Sequence, residues 1–378
     1  MPTLKSAVVA SRAIRRATGV HRAGLAATLR RFAWLYRRDF SPYEIELYDL
    51  LDPALPVERL ERMMSRQKLI EMDERQVVPS YLCLTSDKAV FYTYCEALGF
   101  PIPRLYAVFD HPHGRTFDGR TPATRDEWCA VFASLPAPFV VKPALGLRGL
   151  GVGAYRRDGE RFIDQDGVAL TVEELYDSTV ARAEQNLFAG DYSHHSLGLD
   201  GGSRKVVVQQ QLFAHPVIAE LSGTSSLSTC RVITLVDQGG QPSILGTALR
   251  IVAGKNFTDN FRRGATGNLW ASLDVREGRI TDVYAPVAGA ACLGQIVRHP
   301  DTGRELVSFE VPCWQEVRTL ALGLASAFRP QGMIVWDIAV TGSGAVVVEG
   351  NVGGNMLPTP MERPIDALLG EHKLPPDR

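Results

Sequence analysis

The chain has 378 residues, 45% apolar and 22% charged, which excludes disorder and, at about 100–200 residues per domain, accommodates two or three domains or one large composite. Its longest stretch without a charged residue, 283–297, contains Pro286 and two glycines and falls short of the ~18 apolar residues a membrane helix requires. Cys83, Cys95, Cys129, Cys230, Cys292 and Cys313 form no Cys-x-x-Cys pair, so a disulfide-stapled scaffold is excluded and a reducing, cytoplasmic setting is expected.

The net charge of −1 hides an asymmetry: residues 1–38 carry nine Lys/Arg and no Asp or Glu, and the remainder carries 32 basic against 42 acidic residues. A basic, acid-free start is compatible with a transit peptide, a helix on anionic lipid, or a solvated helix face. Nucleic acid is disfavoured as a partner, because the acidic body repels phosphates. Within 24–38, Leu25, Leu29, Phe32 and Tyr36 share one helical face. We expect that stripe to dock on the protein's own domain, with peripheral membrane contact as the alternative.

In chain order, Ser41-Pro42-Tyr43-Glu44 is a capping box with proline at the first helical position, and 57–73 continues at helical spacing. Ser86 can cap a helix from Asp87 to Leu98 that ends at Gly99. A strand at 104–109, a helix opened by Thr124 and Glu127, and a strand at 139–142 have β-α-β texture; Thr171 and Glu174 open a helix over 171–188. Strands follow at 205–211, 230–236, 244–252, 269–274, 333–341 and 345–350, with a helix near 315–327. The class is α+β or mixed α/β. Residues 189–204 are the best candidate for a mobile loop, and soft boundaries fall near 80, 115–140 and 205.

Among residues that could carry chemistry, the last two strands come first. A hairpin with a three-residue Gly342-Ser343-Gly344 loop pairs Thr341 with Ala345, Ala339 with Val347 and Asp337 with Glu349, and alternation brings Asn351 to the side of Glu349. Two carboxylates and an amide oxygen between apolar flanks suit a hard cation such as Mg2+, because unpaired buried acids are costly. In 139–153, a strand ends at Lys142 and is followed by Gly146, Gly149, Gly151 and Gly153, where backbone can approach phosphate; no Walker A pattern occurs. Gln209, Gln210 and Gln211 end another strand, where amides can read a purine edge while Leu212 and Phe213 pack on its ring. Arg231 and Arg250 lie inside apolar strands and need an anionic partner. Lys88 is either a ligand group or an exposed lysine. His111/His113 and His194/His195 lack zinc-spaced companions, and no G-x-S-x-G elbow occurs.

Taken in order, Asp87-Lys88, "VVKPALGLRGLGV", "VVVQQQL", "STCRVITL", "DNFRRGATGNLWASLD" and "WDIAV…VVVEGN" resemble the ATP-grasp superfamily over about 80–357, most closely the sugar-transfer-associated proteins related to glutamate-ligase-like enzymes. The resemblance implies an α+β fold of two subdomains clasping Mg-ATP, with a helical basic region at 1–79, an N-terminal α/β part at 80–138, a lid subdomain at 139–204 and a metal-bearing subdomain at 205–378. It implies that Lys88 and Lys142, with the turn at Gly146, Gly149 and Gly151, meet ATP phosphates and that Gln209 to Leu212 lie at the adenine. Asp337, Glu349 and Asn351 would hold magnesium (or manganese), while Arg231, Arg250 and Asn260 would face the transferred phosphate or the acceptor. Two departures are glutamines at a hinge position that is commonly acidic, and Ala265 in place of a glycine. The implied reaction is ADP-forming carboxylate–amine ligation through an acyl phosphate, joining an amino acid or other acid to a saccharide or small peptide. The alternatives are a small-molecule kinase acting on a hydroxyl, and a non-catalytic nucleotide-binding component of a membrane glycan-assembly system.

Overall fold

The computed structural model describes residues 4–145, 149–184, 205–353 and 359–362; the expected loop at 189–204 lies outside them. The basic start folds into α1 (Leu4–Gly19) and α2 (Leu25–Arg37), followed by α3 (Pro42–Leu47), α4 (Val57–Glu61) and α5 (Arg66–Gln76). The capping box forms as expected: Ser41 Oγ accepts from Glu44 N, and Glu44 Oε2 accepts from Ser41 N. Ala13, Ala17, Leu35, Phe40, Ile45, Leu50 and Met63 are among the residues that give these helices a core of their own. The stripe on α2 docks only in part: Phe32 packs against this core, whereas Leu25, Leu29 and Tyr36 are exposed, and Thr28 and Leu35 face inward. The inward position is held partly by Arg31, which donates to the carbonyls of Leu50 and Leu55.

Two sheets follow. The first has the order β2-β1-β7-β3-β4-β5-β6, from β1 (Leu105–Asp110), β2 (His113–Thr116), β3 (Phe139–Pro143), β4 (Gly153–Asp158), β5 (Arg161–Asp164), β6 (Ala169–Leu170) and β7 (Lys205–Gln210). The β-α-β texture is present but split: β2 and α8 (Arg125–Ser134) lie between β1 and β3 in the chain, and β7 inserts between the two strands in the sheet, antiparallel to both. The sheet thus spans the divisions expected at 138 and 204. With α8 and α9 (Val172–Glu184) it encloses Phe109, Trp128, Phe139, Tyr155 and Phe162.

The second sheet runs β12-β11-β10-β9-β8-β13-β14, from β8 (Thr229–Val236), β9 (Pro242–Ile251), β10 (Leu269–Leu273), β11 (Ile280–Pro286), β12 (Leu293–Ile296), β13 (Met333–Thr341) and β14 (Gly344–Asn351). One face packs against α7 (Lys88–Ala97) and α11 (Trp314–Ala327); α6 (Cys83–Ser86) precedes α7, and α10 (Pro216–Ser222) follows β7. Against the other face lie Leu47 of α3 and Leu69 and Met72 of α5, packed on Ile233, Leu235, Leu245, Met333 and Val335. Each such side chain stabilises by about 1.5–3 kcal/mol relative to exposure, so the N-terminal helices are an integral layer of the sheet. Arg59 pins them further, 2.6 Å from Asp282 and 2.8 Å from the Tyr284 hydroxyl. Among the described residues no helix is long and apolar enough to cross a membrane.

Candidate functional site

The two sheets and the N-terminal helices enclose a cavity of about 1820 Å³, roughly twice the upper end of a single small-ligand pocket. Val140, Lys142, Gln209, Gln211 and Leu212 line it from the first sheet and its following loop, Arg231, Arg250, Asp337, Glu349 and Asn351 from the second, and Tyr43, Glu44, Arg66 and Ile70 from the helices. The placement follows from strand alternation. Arg231, Ile233 and Leu235 share one face of β8, and Val335 and Asp337 share the matching face of β13. The charged row therefore continues the surface that α3 and α5 cover.

Within that row, Arg231 lies opposite Asp337 and Asp337 opposite Glu349. The expected Asp337–Glu349 pairing is reached by a different route. The turn is tighter, with Thr341 opposite Gly344 and Ala339 opposite Val346, not Ala345 and Val347. An irregularity between Asp337 and Ile338 then makes Val348 the extra residue. This bulge turns Glu349 from the face that Val347 shares with α11 to the cavity side.

The polar network is dense. Arg250 Nη2 lies 3.0 Å from Asp337 Oδ2 and Nε 3.3 Å from Asp259 Oδ2, Arg231 Nη1 lies 3.7 Å from Asp337 Oδ1, and Lys88 Nζ lies 3.6 Å from Glu349 Oε2. The anionic partner that the two strand arginines require is thus Asp337, assisted by Asp259. Lys88 is not a solvated lysine; its side chain is 12% exposed. Asp87, not Ser86, caps its helix, accepting from the backbone N–H groups of Ala89 and Val90, while Ser86 closes α6. The Lys88 backbone N–H donates to Ala144 O, tying α7 to the end of β3.

Lys142 is buried, donates to the Tyr92 hydroxyl at 2.5 Å and stands 4.8 Å from that ring's centroid; Tyr92 in turn donates to Val348 O at 2.6 Å. Burial, then the neighbouring Lys88, lowers the Lys142 ammonium to about 7 despite Glu349. Burial also raises Asp337 above the ordinary carboxylate range, against the pull of its two arginines. Burial opposes ionisation of Glu349 too, but Lys88 and the hydrogen bond with Asp337 outweigh it and hold that carboxyl low. Glu349 is the more solvated of the pair, its side chain 28% exposed against 1% for Asp337, so as pH falls Asp337 is the first of the two to take up a proton.

Asp337, Glu349 and Asn351 fit a hard divalent cation. Asp337 Oδ1 is buried without a hydrogen bond, and the Asn351 amide lies 3.5 Å from Asp337 Oδ2 and 3.3 Å from Glu349 Oε1. Among the described residues no three His, Cys, Asp or Glu side chains gather as a metal cage. Four cations (Lys88, Lys142, Arg231, Arg250) face three carboxylates (Asp259, Asp337, Glu349). The cluster as built attracts a polyanion, and a cation with phosphate ligands of its own suits it better than a bare ion.

The remaining expectations divide. Gln209 is buried with its Oε1 unpartnered, and Gln211 and Leu212 line the cavity. Gln210 faces the other side of β7, where it is exposed, and Phe213 is also exposed; neither lines the cavity, because alternation separates Gln210 from its neighbours. Gly149 lines the cavity and Gly151 does not. Both have positive φ, and Arg182 donates to the Gly151 carbonyl at 2.9 Å. Gly146 lies outside the described residues. Asn260 lines the cavity on a loop stapled by Thr266 Oγ1 and Asn268 Nδ2, which both donate to its carbonyl. Ala265 has φ −63°, so that position does not need glycine. The sequence reading missed Tyr92, Asp259, Thr229 and the helical wall. Tyr92 sits four residues after Lys88 on one helical face, and Asp259 precedes Asn260 within a motif already noted, so both had a visible signal.

No curated protein matches the chain. Solved structures align at low similarity. The biotin carboxylase domain of Hydrogenobacter thermophilus 2-oxoglutarate carboxylase, crystallised with MgADP, ADP and bicarbonate, has 12% identity and a TM-score of 0.39 over 72% of this chain and 41% of that one. Campylobacter jejuni biotin carboxylase with a β-γ-ATP ligand has 11% identity and a TM-score of 0.41 over 73% and 42%. N5-carboxyaminoimidazole ribonucleotide synthetase with ADP has 10% identity and a TM-score of 0.38 over 78% and 52%. The chain therefore spans about half or less of the length of each. The family model for sugar-transfer associated ATP-grasp proteins, in contrast, matches residues 72–362, which takes in both sheets and Lys88, Lys142, Arg231, Arg250, Asp259, Asp337 and Glu349 of the charged cluster. The chain belongs to the sugar-transfer associated ATP-grasp family.

Proposed function

We propose that the protein is an ATP-dependent ligase that phosphorylates a carboxylate and passes the resulting acyl phosphate to an amine, forming a C–N bond with release of ADP and phosphate. The observation that carries this reading is the Asp337–Glu349–Asn351 row set among Lys88, Lys142, Arg231 and Arg250 in a cavity large enough for a nucleotide and a second reactant. Lys88 and Lys142 bind the phosphate chain. Gln209 Oε1, a buried acceptor without a partner, takes the exocyclic N–H of the purine. Asp337, Glu349 and Asn351 would hold a divalent ion, which would supply positive charge toward the phosphate oxygens. Arg250 and Arg231 orient Asp337, and the unpartnered Arg231 Nε is left to meet an anionic oxygen.

The second reactant occupies the helical end of the cavity. There Arg262 and Arg263 adopt left-handed backbone (φ 42° and 57°), and the Arg263 guanidinium lies 5.3 Å from the Tyr43 ring centroid, with Arg66 in the same lining. Strained backbone kept at a cavity wall supports a binding role, and the arginines suit the acid to be activated. The test is ADP release by the purified protein across a panel of carboxylic acids and amines. The expected outcome is turnover that needs one of each and yields an amide, with Arg263→Ala raising the KM for the acid at least about tenfold while ATP affinity holds. A stable phosphorylated alcohol without ligation, or AMP formation, overturns the reading.

Lys142 supplies a pH prediction. Its ammonium is lowered to about 7 without nucleotide, and a bound triphosphate favours the charged form. At pH 8, ATP binding should therefore take up about one proton, and affinity should fall as pH rises above 7. Titration calorimetry in buffers of different ionisation enthalpy measures the uptake, and Lys142→Met should abolish it. Equal proton uptake by the two proteins would contradict the assignment.

A further inference from the structure

On the outward face of α2, Phe32 packs partly against the helical core, while Leu25, Leu29 and Tyr36 have no such packing among the described residues. At 100° per residue, Leu25, Leu29, Phe32 and Tyr36 fall within an arc of about 60°, and Leu25, Leu29 and Tyr36 are 58%, 46% and 52% exposed. The Phe32 and Tyr36 rings stack along it, with centroids 6.3 Å apart. The helix is nonetheless fixed in place from its other side, by Thr28, Leu35 and Arg31. Leu4 and Val8 on α1 and Val20 after it are also exposed, so six of the sixteen exposed large apolar side chains among the described residues lie within residues 4–36. Elsewhere such residues are scattered singly, which is ordinary; a cluster on one element is a sign of an interaction surface.

Charge identifies the partner. Residues 1–38 contain no acid. Arg12 is paired with Glu46 and Arg16 with Asp49, whereas Lys5, Arg15, Arg22, Arg30 and Arg37 are exposed and make no ion pair among the described residues. An apolar stripe bordered by unneutralised cations on a surface helix matches the headgroup and acyl boundary of an anionic bilayer. We propose that the outward face of α2, with the exposed cations of residues 1–38, docks the protein on an anionic lipid surface, the apolar stripe entering the interface and the cations meeting the headgroups. This inference is independent of the ligase reading.

The test is co-sedimentation of the full chain with vesicles of phosphatidylcholine alone, or of phosphatidylcholine with about one third phosphatidylglycerol. The wild type should partition at least about tenfold more strongly to the anionic vesicles, and about 0.5 M salt should remove most of that preference. The Leu25→Glu/Leu29→Glu variant should bind at least about tenfold more weakly, and Arg30→Glu/Arg37→Glu should lose the preference for anionic lipid. All four positions are exposed, so each variant should keep the wild-type melting curve. Wild-type binding at background level, or full binding by the Leu25→Glu/Leu29→Glu variant, overturns the proposal. So does wild-type self-association that this variant abolishes, because a second copy of the chain would then be what covers the stripe.

Discussion

Asp337→Asn lowers ligase turnover by at least about 10²-fold, the scale on which removal of one preorganised electrostatic group acts. Asparagine has the shape of aspartate and keeps an acceptor for Arg250 Nη2, now 3.0 Å from Asp337 Oδ2. What it removes is the negative charge facing Glu349, so the loss reports on charge and not on packing. ATP affinity should become much less sensitive to magnesium in the variant, because one of two carboxylates in the row is gone. ADP formation and nucleotide titrations with and without EDTA measure both effects, with circular dichroism to establish that the variant is folded. Unchanged turnover, or an undiminished magnesium requirement for binding, would remove the central assignment.

Arg250→Met should destabilise the protein by about 3–5 kcal/mol near pH 8, the cost of leaving a buried charge without its partner. Arg250 stands between Asp337 and Asp259, with both of its hydrogen-bonding nitrogens also donating to Thr229 Oγ1. Without it, the cation nearest Asp337 among the described ion pairs is the more distant Arg231. The pH dependence gives the sign. Asp337 is already raised to about 6 by burial, and loss of Arg250 raises it further. The folded variant then binds a proton that the unfolded chain releases until well below pH 6, so its stability recovers as pH falls from 8 towards 5. Urea unfolding of both proteins at pH 8 and pH 5 measures the difference. An equal loss at the two pH values would mean that Arg250 acts through packing, not through its charge on Asp337.

Much of this protein was legible in the order of its residues. The pairing of Asp337 with Glu349, and of Glu349 with Asn351 on one face, was visible in their spacing, although the register that delivers it was not, and arginines set among Val and Leu had to find a carboxylate, because guanidinium does not shed its charge. The capping box at Ser41 and the strand, helix and strand within residues 104–142 were equally local in origin. Tertiary structure alone decided the rest. The bulge at Val348 arises from pairing against Asp337 and Ile338 on the neighbouring strand, which no local pattern specifies. Insertion of β7 between β1 and β3, across two expected boundaries, depends on contacts far apart in the chain. Periodicity found the apolar stripe on α2, but it cannot say which side of an amphipathic helix meets protein. That depended on where Thr28, Leu35 and Arg31 find their partners, and it left Leu25, Leu29 and Tyr36 facing outward. The helical wall of the cavity was hidden for the same reason: Leu47, Leu69 and Met72 read as ordinary helix positions until the sheet they cover is in place.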